Sequence, residues 1–128
     1  MENVRNMNPI KVDNTSIISL EKGKLPPQAL ELEEAVLGSL LIDRNALSKV
    51  IDILTPETFY VDAHQAVFSV VKDLFAESQP IDILTVAQAL RKAGQLERIG
   101  GEAKLINLST RVSSSAHIEY HARIVVQK

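Results

Sequence analysis

The chain has no cysteine and no tryptophan, and only two tyrosines and three phenylalanines in 128 residues. The first absence removes disulfides, thiolate metal centres and thiol nucleophiles together, and suits a reducing compartment such as the cytosol. The scarcity of aromatics, with 45% hydrophobic residues overall, points to an aliphatic, helix-packed interior rather than an aromatic-rich β-sandwich. No G-x-x-x-x-G-K-[ST] phosphate loop is present. The paired glycines, Gly100-Gly101, lack the lysine that would reach a β/γ-phosphate, which argues against nucleotide binding by this segment. No apolar run approaches the roughly 18 to 20 residues needed to cross a bilayer, and the N-terminus lacks the charged-then-apolar grammar of a secretory signal. The period-2 alternation of strands is missing as well, so the expected fold is all-α, a small bundle of about six helices with short turns.

What is present is a sequence of helix signals sized for one domain. Residues 1–24 mix Asn, Ser, Lys and isolated apolar residues without period and read as a flexible N-terminal arm. Pro26-Pro27 then start a helix to Ile42, with Glu31, Glu33 and Glu34 placed where the helix dipole favours anions. Its apolar residues cover more than one stripe, so it is expected between neighbours. Gly38 inside this run costs about 1 kcal/mol against alanine. The offsetting reason proposed by the pattern is close backbone approach, most simply by the helix carrying Val67 and Val71.

Leu47, Val50, Ile51 and Leu54 recur at helical spacing and define a second helix. Thr55-Pro56 begin a single turn before the Phe59-Tyr60 corner. Asp62 with Gln65 reads as a capping-box variant opening a long helix to Glu77. Thr85 with Gln88 reads as a second box, for a helix ending at Gly94. Gly100-Gly101 permit a tight reversal before a helix from Glu102 to Arg111, and the serines 113–115 cap the last one. Residues 102–128 therefore read as an antiparallel helical hairpin. The chain stops inside that amphipathic pattern, as a segment of something longer would.

Candidate chemistry is sparse. His64, at the start of the long helix beyond the Phe59-Tyr60 corner, has the placement of a general base, but a partly buried histidine bonded to a neighbouring backbone group or to Tyr60 is the simpler reading. His117 and His121 are four apart on one helix, a spacing that can chelate zinc, with Glu119 between them. A zincin needs its Glu directly beside the first His, and a complete site needs a further ligand, so a solvated or interface face is the simpler reading here too. Neither a metal nor a catalytic residue is expected. Acidic side chains dominate from Pro26 to Leu90 and basic ones from Arg91 onward, but the bases are scattered rather than gathered on one face, unlike a nucleic-acid footprint. Exposed apolar residues of the final hairpin are the surface candidates for association.

PPQALELEEAVLGSLL, the Phe59, Tyr60 and His64 corner, PIDILTVAQALRKAGQLERIGG and SSSAHIEYHARIV, taken together and in this order, closely resemble the N-terminal domain of the bacterial replicative hexameric DNA helicase, the DnaB family. The resemblance runs from Leu25 to Lys128 and leaves residues 1–24 outside. It implies a non-catalytic helical collar domain whose hairpins pair into a trimer of dimers, with primase, and a helicase loader, as further partners. It also implies that ATP, magnesium and most DNA contacts belong to a motor domain beyond this chain, and that the location is cytoplasmic. Mapped by position, the self-association face would draw on Leu105, Leu108, Ile118, Tyr120, Ile124 and Val125. Gly38, Phe59, Tyr60 and His64 would serve packing. The alternative from a different class is a stand-alone helical module that binds a partner helix without any motor.

Overall fold

The computed structural model describes residues 27–127, so the N-terminal arm read from residues 1–24 lies outside the described residues. Among the described residues the chain is wholly helical, with no strand. Seven helices follow in order: α1 (Pro27–Ile42), α2 (Ala46–Val50), α3 (Asp62–Ala76), α4 (Ile83–Lys92), α5 (Leu96–Ile99), α6 (Gly101–Thr110) and α7 (Ile118–Gln127). A 3-10 turn, Pro56–Thr58, separates α2 from α3. The unit that begins at Glu31 contains the core described below.

α1 buries an unbroken run from Val36 to Leu41, which no single-faced helix can do. The multi-striped sequence is thus explained by neighbours on several sides. α3 buries His64, Val67, Phe68, Val70 and Val71. It packs against the 3-10 turn, α4 and α5, and so occupies the centre of this half of the unit. The Phe59 and Phe68 rings meet there with centroids 5.3 Å apart and planes tilted by 36°, an offset geometry that adds to their area burial. Phe75, seven residues beyond Phe68 and thus close to its helical phase, nevertheless lies 40% exposed near the end of α3.

Local start and stop signals were read well in type and less well in register. The single turn expected at Thr55-Pro56 forms, and Thr55 and Thr58 add a reciprocal cap around Pro56. For α4 the capping box is three residues earlier than Thr85-Gln88: the Asp82 carboxylate accepts from the Thr85 N–H at 2.9 Å, and the Asp82 N–H donates to Thr85 Oγ1 at 3.0 Å. Asp82 wins because its backbone is extended while Ile81 is anchored in the core. The Asp62-Gln65 box does not form. Asp62 is already the first helical residue, and the Gln65 side chain donates backwards to the Phe59 carbonyl at 2.7 Å. α2 is also shorter than its periodic pattern, since the chain turns after Val50 to bring Leu54 inward. Gly100 and Gly101 do take left-handed φ values, 111° and 74°, at the α5 to α6 reversal.

The largest departure concerns Gly38. A methyl group built there would strike the carbonyl oxygen of Leu108 and touch Val112 Cγ2, so the close neighbour is α6 and not the valine face of α3. Two polar links lie in register with this approach. Glu34 pairs with Lys104 at 3.4 Å and with Arg111 at 3.1 Å, and the Ser115 hydroxyl donates to Asp43 Oδ2 at 2.6 Å. Numbering rises together along both segments, so α6 and its exit run beside α1 in the same direction. α6 has its other neighbours in α4 and α5, whereas α7 lies against α2. The two last helices, read from sequence as an antiparallel hairpin, thus each dock on different parts of the unit across residues 111–117. α7 starts at Ile118, beyond the serines expected to cap it, and Ser115 instead ties the connection back to Asp43.

Candidate functional site

Among the described residues, the most buried ionisable pair joins α1 to α3. Glu33 is fully buried and His64 nearly so, with His64 Nδ1 2.8 Å from Glu33 Oε1. The other carboxylate oxygen, Oε2, accepts from the Tyr60 backbone N–H at 2.7 Å. With the carboxylate ionised, the imidazole Nδ1–H would be the donor. The reading of His64 as a hydrogen-bonded residue holds, but its burial is nearly complete rather than partial and the partner differs. It is the Glu33 carboxylate, while Tyr60 contributes only its main chain and leaves its ring 45% exposed.

Glu33 itself departs from its placement on a solvated, dipole-favoured turn. α1 begins at Pro27 and carries no acid in its first turn, so Glu33 lies in the second turn and faces inward. A signal for this was available. Glu33 is in phase with Val36, Leu37 and Leu40, and His64 with Val67, Phe68 and Val71, each at i+3, i+4 and i+7. Two ionisable residues on the core phases of two helices imply a pair. Such a pair is a fastener between helices rather than a reactive dyad, because both members are closed off from solvent.

The residues assigned to a self-association face divide sharply. Leu105, Leu108, Ile118 and Val125 are all within the core of their own unit, at 2% exposure or less, and so are committed to internal packing. Tyr120 is 66% exposed and Ile124 half-buried. The exposed apolar residues of this region include Ile106 and Val126, at 50% and 45%. Their helical phase explains the sorting: Leu105 and Leu108 turn one side of α6 inward, and Ile106 lies on the other. On α7, Ile118, Ala122 and Val125 take the inner face, which leaves Tyr120 and Val126 outside.

His117 and His121 face each other across one turn, with ring centroids 6.1 Å apart, and the Tyr120 ring lies 5.8 Å from His121. Partial burial, and then the neighbouring His117, push the His121 pKa below the ordinary histidine range. Among the described residues no group of three or more His, Cys, Asp or Glu converges as a metal cage. One open groove is lined by Asp62, Gln65, Ser69, Asp73, Gln95 and Arg98. Another, of about 480 Å³, lies at the end of α3 between Arg44, Phe75 and Pro80. No helix among the described residues is long and apolar enough to cross a membrane.

Among the described residues the domain is all-helical, and its buried ionisable pair, Glu33 and His64, joins two helices. Residues 25–127 match the family of the DnaB-like helicase N terminal domain, and the chain belongs to that family. It is 47% identical over 108 residues to the replicative DNA helicase DnaB of Rhodothermus marinus, covering 84% of this chain and 12% of that protein. Against the DnaB of Geobacillus stearothermophilus it is 42% identical over 105 residues, covering 82% of this chain and 23% of the relative. The crystal structure of the N-terminal domain of DnaB helicase from Mycobacterium tuberculosis superposes with a TM-score of 0.76 at 40% identity, covering 80% of this chain and 72% of that one. The chain thus spans less than a quarter of the length of these two helicase relatives.

Proposed function

We propose that this chain serves as the non-catalytic assembly and docking domain of an ATP-dependent replicative DNA helicase. In this reading it supports a hexameric collar and presents a surface to primase during DNA replication in the cytoplasm, while ATP, magnesium and most DNA contacts belong to a motor domain outside these residues. The observation that carries the reading is the full-domain match over residues 25–127 to a helicase N-terminal family. The architecture supports it chemically. The ionisable core pair is buried and spent on joining two helices, which is consistent with a domain that acts through its surface. Exposed Ile106, Tyr120 and Val126 supply apolar area that a partner would cover.

Because single apolar side chains give a small interface, pairing of isolated domains is weak and is strengthened when a motor ring holds the domains together at high effective concentration. Light scattering tests the assembly role. The chain should show concentration-dependent dimerisation that Tyr120→Ala reduces, and a helicase relative without its corresponding domain should lose hexamer stability. A chain that stays monomeric at high concentration, together with a truncated relative that stays hexameric, would end the assembly reading. The primase role is tested separately, by binding of the primase's helicase-binding domain to this chain.

A further inference from the structure

We infer that His117, the residue just before α7, and His121, in its first turn, form a two-imidazole chelate for a divalent transition ion such as zinc. The main chain fixes the pair one turn apart, since the His121 N–H donates to the His117 carbonyl at 3.0 Å. Side chains at this spacing lie over one another on a helix face. Their rings are 6.1 Å apart and tilted by 54°. Zinc-to-nitrogen bonds of about 2.0–2.1 Å, with roughly 1 Å from ring centre to nitrogen on each side, place two ligating imidazoles about 5 Å apart at a tetrahedral angle. The rings therefore need to close by only about 1 Å, which a modest rotation about the broad histidine χ2 supplies.

Neither ring donates or accepts a hydrogen bond among the described residues, so ligation displaces no protein partner. This distinguishes them from His64, whose Nδ1 is taken by Glu33. Glu119, between them in sequence, is occupied by Arg123 at 2.9 Å and is not a ligand in this arrangement. The ion's remaining positions would face water beside the exposed Tyr120. The site is thus an open two-ligand one and not a closed structural cage.

The test is calorimetric titration of the chain with zinc chloride, with the histidine ring protons followed by NMR. One ion per chain should bind, shifting the signals of His117 and His121 and leaving those of His64 in place. His117→Gln and His121→Gln should each weaken binding by at least about tenfold, while Glu119→Gln leaves it unchanged. Both histidine variants alter the surface, and far-UV circular dichroism confirms that they fold. No measurable uptake would overturn the inference. So would uptake unchanged by either histidine substitution, which would be adventitious surface binding only. The outcome is independent of whether the chain dimerises or binds primase.

Discussion

Gly38→Ala sets two opposing effects against each other, and the sign of the result decides between them. On an ordinary solvated helix position alanine would stabilise by about 1 kcal/mol through propensity alone. At Gly38 the new methyl group would overlap the Leu108 carbonyl oxygen, a main-chain atom of α6 that cannot rotate away, and would press on Val112 Cγ2. Over-packing of a tight contact costs about 1–3 kcal/mol, and an immovable neighbour puts this case at the upper end. The net loss is then about 2 kcal/mol. For a domain of about 100 residues that is a fall in Tm of roughly 10 °C, measured by thermal melts followed at 222 nm. Leu108 lies between the Glu34 ion pairs and the Ser115–Asp43 bond, so the strain would be shared along the α1–α6 contact. A Gly38→Ala protein that melts at or above the parent temperature would refute the close approach and leave Gly38 as a tolerated defect.

Other consequences are as direct. Glu33→Ala should cost about 3–5 kcal/mol, because it orphans the buried His64 ring and the Tyr60 N–H, whereas replacing Glu33 and His64 together by well-packed apolar residues should recover most of it; chemical denaturation of the three proteins checks both. Ser78 ends α3 in the left-handed region at φ 58°, so Ser78→Gly should raise stability by about 0.5–1 kcal/mol, and an unchanged denaturation midpoint would deny the strain. The Ser115 hydroxyl, then the Asn45 main-chain N–H, hold the Asp43 carboxyl below its ordinary range. A pKa lowered by folding gives stability that is present above the unfolded value and lost as pH falls through the folded one. Melting curves of Asp43→Asn should therefore converge on the parent in strong acid and separate from it at neutral pH; parallel curves across the range would remove Asp43 from the account.

Much of the fold was legible because helices declare themselves locally. Proline at Pro56, the paired glycines at the α5 to α6 reversal and the spacing of Val67, Phe68 and Val71 act over a few residues, and each appears where the sequence places it. Register at the caps was less secure, since Asp82 and Thr85 are both able to start α4 and only the anchoring of Ile81 in the core selects Asp82. Glu33 was misplaced by weighing its charge against its dipole position. Its phase with Val36, Leu37 and Leu40 carried the correct information, and the buried partner that makes such a position tolerable lies 31 residues away.

The sequence by itself determined an all-helical domain, its order of elements and its helicase kinship, because periodicity, caps and punctuation are short-range properties written in consecutive residues. Only the tertiary structure decided which face of each helix is spent inside. Leu105, Leu108, Ile118 and Val125 are as apolar as Ile106 and Val126, yet the first group is enclosed by its own chain and the second is left at the surface. The same holds for Gly38, whose need for no side chain is stated in sequence but whose neighbour, Leu108, is chosen by the way α6 settles along α1. Such choices depend on contacts between residues far apart in the chain, where shape and the burial of charge set the free energy; helical phase groups the residues of a face, but the tertiary contacts decide what covers it.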